Sequence, residues 1–166
     1  MKFFLILLTI ILYSNILQAQ TVPLAEIQGR LSIYRSEDNT SVHIGKDAGI
    51  SQQAITTYRN TFVGFKSGEK TNSGTENAFF GNEAGLKNEV GSYNSFFGCQ
   101  AGESNLTSDE NSFFGAFAGQ SNLGRENSFF GSQAGIGNTD GSKNSFVGSE
   151  AGSRNKLGSN NNFIGA

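Results

Sequence analysis

"ENSFFGAFAG" runs from Glu110 to Gly119, and "ENSFFGSQAG" from Glu126 to Gly135. The two stretches differ only at the two positions after the first Gly. Their adjacent phenylalanines pose a physical problem. Neighbouring side chains of a β-strand point to opposite faces, so one Phe of each pair enters a core and the other faces away from it.

The pair belongs to a repeat. The Gly that closes it recurs at Gly64, Gly81, Gly98, Gly115, Gly131, Gly148 and Gly165, in steps of 17, 17, 17, 16, 17 and 17 residues. A weaker copy, "SVHIGKDAG", places its Gly45 nineteen residues before Gly64. The unit reads N-S-F-F-G-x-x-A-G-x-x-N-x-x-G-x-x. Its first Asn column is Asn60, Asn77, Asn94, Asn111, Asn127, Asn144 and Asn161, and a second runs Asn88, Asn105, Asn122, Asn138 and Asn155. The unit before Glu126 lacks one residue of its x-x-G linker, which places the deletion in a turn.

Seventeen residues are too few for a pair of packed helices, since helical repeats begin at about 33 residues. Short apolar runs bounded by Gly and Asn read as strands and turns. The expectation is an all-β fold, a parallel β-solenoid (β-roll) of about eight 17-residue coils over residues 41–166. Coils stack at ~4.8 Å, so identical columns lie above one another. The Asn columns then form hydrogen-bonded ladders, as in other cross-β stacks. The first Phe column is Phe62, Phe79, Phe96, Phe113, Phe129, Phe146 and Phe163. The second contains Phe80, Phe97, Phe114 and Phe130, with Val63, Val147 and Ile164 in the flanking coils. Both columns are counted as the apolar framework of the repeat. A solitary coil has one interior, so one column is expected to form an apolar stripe outside it. A stripe of that size is an interaction surface. Its simplest partner is another copy of the chain, in an assembly closed by cyclic symmetry; in a homotrimer, three chains round an axis would bury one Phe column in each coil and the other along the centre.

The remaining chain supplies context. The first twenty residues, MKFFLILLTIILYSNILQAQ, have a basic Lys2, an apolar run and a small residue at Ala19. That layout predicts a secretory signal peptide over residues 1–20 and hence an exported protein. Residues 21–40, with Pro23 and the alternation at Leu31 and Ile33, read as a strand-rich N-terminal cap. The sequence stops at Ala166 in the middle of a unit, and is expected to be truncated there. The 12 basic and 14 acidic residues give a formal net charge of −2, with no basic footprint for nucleic acid. A lone cysteine, Cys99, excludes an intrachain disulfide.

No constellation suited to catalysis, a cofactor or a metal emerges. His43 is the only histidine and stands at a Phe position, which points to a stacked or rim residue rather than a general base. Asp47, Asp109 and Asp140 fall in different columns, unlike the fixed Asp of calcium-binding repeats. The stretch "GIGNTDG" lacks the Lys-Ser/Thr of a phosphate loop. Variable polar positions, such as Glu83, Gln100, Lys143 and Arg154, are expected to face solvent. An ice-binding solenoid needs a Thr column, and a glycan-processing one needs clustered acids; both remain alternatives to a structural role.

The array Ser41–Ala166, about three quarters of the chain, resembles the head repeats of trimeric autotransporter adhesins and related bacterial surface and tail-fibre proteins. The adhesin-head unit is shorter than seventeen residues and carries a small residue where this chain has its second apolar one. The resemblance implies a trimer, surface display and adhesion to a host, glycan or matrix ligand not identified by the sequence.

Overall fold

A computed structural model describes the backbone of residues 33–35 and all of residues 40–52 and 58–165. The expected signal peptide, Pro23, Leu31 and Ala166 lie outside the described residues.

Among those residues the chain forms one sheet of nine three-residue strands: β1 (Ile33–Arg35), β2 (Val42–Ile44), β3 (Thr61–Val63), β4 (Ala78–Phe80), β5 (Ser95–Phe97), β6 (Ser112–Phe114), β7 (Ser128–Phe130), β8 (Ser145–Val147) and β9 (Asn162–Ile164). The sheet order follows the sequence order. β1 pairs antiparallel with β2, and every later pair is parallel. Register is kept column by column: Phe96 lies beside Phe79 on one side and Phe113 on the other. The eight parallel strands enclose about seven turns of a solenoid.

Each coil contains one short strand, yet the ladder continues around its turns. Gly85 N–H donates to Ala101 O at 3.0 Å, and Lys87 N–H to Glu103 O at 2.8 Å. Main-chain polar groups are thereby paired between coils without long strands, as buried backbone requires.

The first Phe column fills the interior. Phe62, Phe79, Phe96, Phe113, Phe129 and Phe146 are fully buried. Their rings stack at 4.7–5.0 Å with interplanar angles of 4–18°. His43 continues the stack, buried and 5.2 Å from the Phe62 ring, so it is a stacked residue. Phe163 stacks on Phe146 but is exposed in the last coil. Opposite the rings lies the Ala column, from Ala84 to Ala151, small enough for a coil this narrow.

Two glycine columns close the coil for different reasons. Gly98 has φ +145°, outside the reach of L side chains, and a Cβ there would overlap the carbonyl of Gly115. Gly102 is left-handed at φ +60°, and a Cβ there would enter the ring of Phe96.

Both Asn ladders form, with different chemistry. In the first, Asn94 Oδ1 accepts the main-chain N–H of Asn111 at 3.0 Å, and Asn94 Nδ2 donates to Ser108 O at 2.8 Å. The same pattern runs from Asn60 to Asn161 along the stack. In the second, amide meets amide: Asn105 Nδ2 donates to Asn88 Oδ1 at 3.1 Å, and Asn155 Nδ2 to Asn138 Oδ1 at 2.9 Å. In four coils the two ladders converge on one carbonyl: Gly91 O, for example, accepts from Asn77 and from Asn88, and the carbonyls of Ser108, Gly141 and Gly158 do the same. The short unit keeps the second contact, because Asn122 Nδ2 reaches Gly124 O two residues on rather than three, while Asn111 Nδ2 turns instead to Asn94 Oδ1 and Asn105 Oδ1. The deletion therefore sits in the turn where the spacing placed it.

Candidate functional surface

The strand burial pattern separates the two Phe columns. In β4 and β5 the middle residue is buried and the two outer residues are half-buried. In β6 and β7 the last residue is more open to solvent. Phe80, Phe97, Phe114 and Phe130, expected in the structural core of the repeat, do not belong to it. They point out of the coil because Phe79, Phe96, Phe113 and Phe129 point in. Their rings stack on one another at 4.7–4.9 Å, nearly parallel. Phe114 is 36% exposed, Phe130 42% and Val147 41%. Stacking covers the ring faces and leaves the ring edges open.

The same outward face carries the first residue of each strand: Ala78 in β4, then Ser95, Ser112, Ser128 and Ser145. A column of small side chains thus lies alongside the aromatic one. Other exposed apolar residues do not build a comparable row. Val90, Leu106, Leu123 and Leu157 occupy two different positions of the unit, both in the turn before its last Gly.

Two further rows flank the strand face, and both have left-handed backbone without glycine. On one side Glu76, Tyr93, Glu110, Glu126 and Lys143 have φ between +57° and +60°. On the other, Glu83, Gln100, Phe117, Gln133 and Glu150 have φ between +53° and +60°. The coil must turn sharply on both sides of its strand, and at these positions Cβ points outward, so a side chain fits. The composition does not signal these turns, since Asn, Asp or Gly would be the expected left-handed residues. Their only sequence mark is a fixed distance from the Asn and Ala columns.

Polar side chains on the turns pair between coils. Gln100 Nε2 donates to Glu83 Oε2 at 2.6 Å, and Arg59 forms an ion pair with Glu76. Lys87 Nζ lies 2.8 Å from Glu103 Oε1, and Gln120 Nε2 donates to Glu103 Oε2 at 2.9 Å. Partial burial alone pushes the Glu103 carboxyl up; the hydrogen bonds from Lys87 and Gln120 and the Lys87 charge outweigh it, and the group titrates below its ordinary range. Of the positions expected in solvent, Lys143 and Arg154 are exposed, whereas Glu83 and Gln100 are half-buried by this pairing. Cys99 is an exposed free thiol near Asn82. Among the described residues, no group of three or more His, Cys, Asp or Glu side chains is placed to hold a metal ion.

No family model matches the chain, and neither a curated protein nor a solved structure is significantly similar to it.

Proposed function

We propose that this protein is a non-enzymatic exported module that presents a stiff, repetitive surface for adhesion or display, assembled as a homotrimer. The observation that carries this reading is the outward aromatic column, with Phe80, Phe97, Phe114 and Phe130 stacked over four successive coils. Burying a Phe side chain is worth about 1.5–3 kcal/mol, so a wet stripe forgoes several such contributions. The ring faces are already used within the stack. Sugars stack on ring faces, so this column suits a protein surface better than a glycan. The glycan or matrix ligand is then met by the variable polar turns. The signal-like N-terminus and the resemblance to adhesin head repeats support export and surface display. Three chains side by side repeat any weak site, and avidity from such display reaches about 10²–10⁴ over a single site.

Light scattering on the exported region tests the assembly: a mass of three chains is expected. Binding of this form to glycan and matrix arrays, compared with the Phe97→Ser/Phe114→Ser/Phe130→Ser variant, tests the display. The variant should be a folded monomer with at least a hundredfold weaker apparent binding. Equal binding by the monomer would point to one discrete site, and hydrolysis of any arrayed glycan would overturn the non-enzymatic reading.

A further inference from the structure

The two outward positions of each strand vary together. Where the last residue is Phe, the first is small: Ala78 with Phe80, Ser95 with Phe97, Ser112 with Phe114, Ser128 with Phe130. Where the last residue is aliphatic, the first is larger: Val42 with Ile44, Thr61 with Val63, Asn162 with Ile164. Ser145 with Val147 is the single departure. A surface left in water sets no constraint on side-chain volume. A surface covered at close packing does, because gaps and overlaps both destabilise it.

We infer that neighbouring copies of this chain pack parallel and in register, with the outward ring of one copy seated on the small residue of the same coil in the next. This rests on the reading of the stripe as a self-association surface. Rotation about an axis parallel to the stack keeps each coil at its own level and, in a closed ring, sets the last-residue side of one strand face against the first-residue side of the next. Phe114 of one copy then faces Ser112 of the next, and Phe97 faces Ser95. Volume is complementary coil by coil only in this arrangement. An antiparallel pairing, by rotation about the strand direction, would instead set the last residue of each strand on the last residue of another, ring against ring and small residue against small residue.

The area agrees with a partner that covers more than the strands. Eight strands at ~4.8 Å spacing, each three residues long at ~3.3 Å, present only about 380 Å². A standard interface buries about 800 Å² per partner. Including the two flanking rows roughly doubles the width and brings the face near that size. The rows then form a polar rim, in which Lys143, 3.8 Å from Glu126 within its own chain, stands level with Glu150 of the next copy. Arg59 and Lys66 share a level and a sign, as do Glu76 and Glu83, but each has its own partner within the chain: Arg59 pairs with Glu76, Lys66 with Glu69, and Glu83 accepts from Gln100.

Cross-linking decides the register. In a Cys99→Ser background, Ser112→Cys and Phe114→Cys chains are expressed separately and together, then oxidised. Together they should give a 112–114 disulfide between chains, and separately neither should cross-link. Cross-linking of Phe114→Cys to itself would mean that rings meet rings and would overturn the inference. An oligomer of native mass with no disulfide in any mixture would overturn it too, while leaving self-association intact. A monomer by light scattering would overturn both. As a second variant, Ser95→Phe/Ser112→Phe/Ser128→Phe fills the receiving column without touching the core. It should melt as a folded coil yet associate at least tenfold more weakly; unchanged association would overturn the inference.

Discussion

Gly102 stands directly against the ring of Phe96, so close that a methyl group on its α-carbon would penetrate the ring edge. The core of this solenoid is therefore a column of phenylalanine rings held against backbone and a column of alanines, with no second layer of large side chains to adjust. Gly102→Ala adds a left-handed penalty of about 1–2 kcal/mol to an overpacking penalty of about 1–3 kcal/mol. Denaturant unfolding should report a loss of about 2–5 kcal/mol.

The left-handed turns flanking the strand predict the opposite sign. Gln133 has φ +59°, is half-buried, and a main-chain N–H, not its side chain, ties it to Ala116. Gln133→Gly removes the left-handed penalty and should raise stability by up to about 1 kcal/mol. A loss of stability in urea melts would show that the Gln133 side chain contributes more than its backbone costs.

The second Asn ladder stops one coil early. Thr71 occupies its position in the coil of Phe62, fully buried, and its Oγ1 has no hydrogen-bond partner. Thr71→Asn places an amide where Asn88 has one, with Gly74 O and Asn88 Nδ2 within reach of the same pattern. Removing an unsatisfied buried group and adding a hydrogen bond should stabilise by about 1–3 kcal/mol, read as a higher midpoint in denaturant.

Asn94 gives the converse case. Its truncation to Ala strands the N–H of Asn111, which has Asn94 Oδ1 as its acceptor, and opens a gap between coils. A cost of about 2–4 kcal/mol is expected. Asn94→Asp should not rescue it, because a carboxylate accepts from Asn111 but repels the Ser108 carbonyl that Asn94 Nδ2 serves.

Glu103 makes stability depend on acid. Its folded pKa lies below the unfolded one, so its contribution is present above about pH 4.3 and is lost as pH falls through the folded value. Burial opposes the shift, and Lys87 and Gln120 produce it. In Lys87→Met the Glu103 carboxyl should titrate at higher pH by carbon-detected NMR; an unchanged titration would remove Lys87 as a cause.

Much of this architecture follows from sequence because stacking is in register. A 17-residue period maps directly onto one coil, so each column of identical residues becomes a ladder, as for Phe96 between Phe79 and Phe113. The composition of the columns also announced the turn that absorbs the deletion, with Asn122 still reaching Gly124. The choice between the two Phe columns was not legible. Phe96 and Phe97 are the same residue type at adjacent positions, and alternation says only that they part company. The tertiary structure decides it through Gly102 and Ala101: the coil is one ring wide, and only the first Phe of each pair points across it to the Ala-Gly wall. The left-handed rows escaped for a related reason. Backbone at Glu83 or Lys143 is set by closure of the whole coil, which compels a conformation that neither side chain favours by itself.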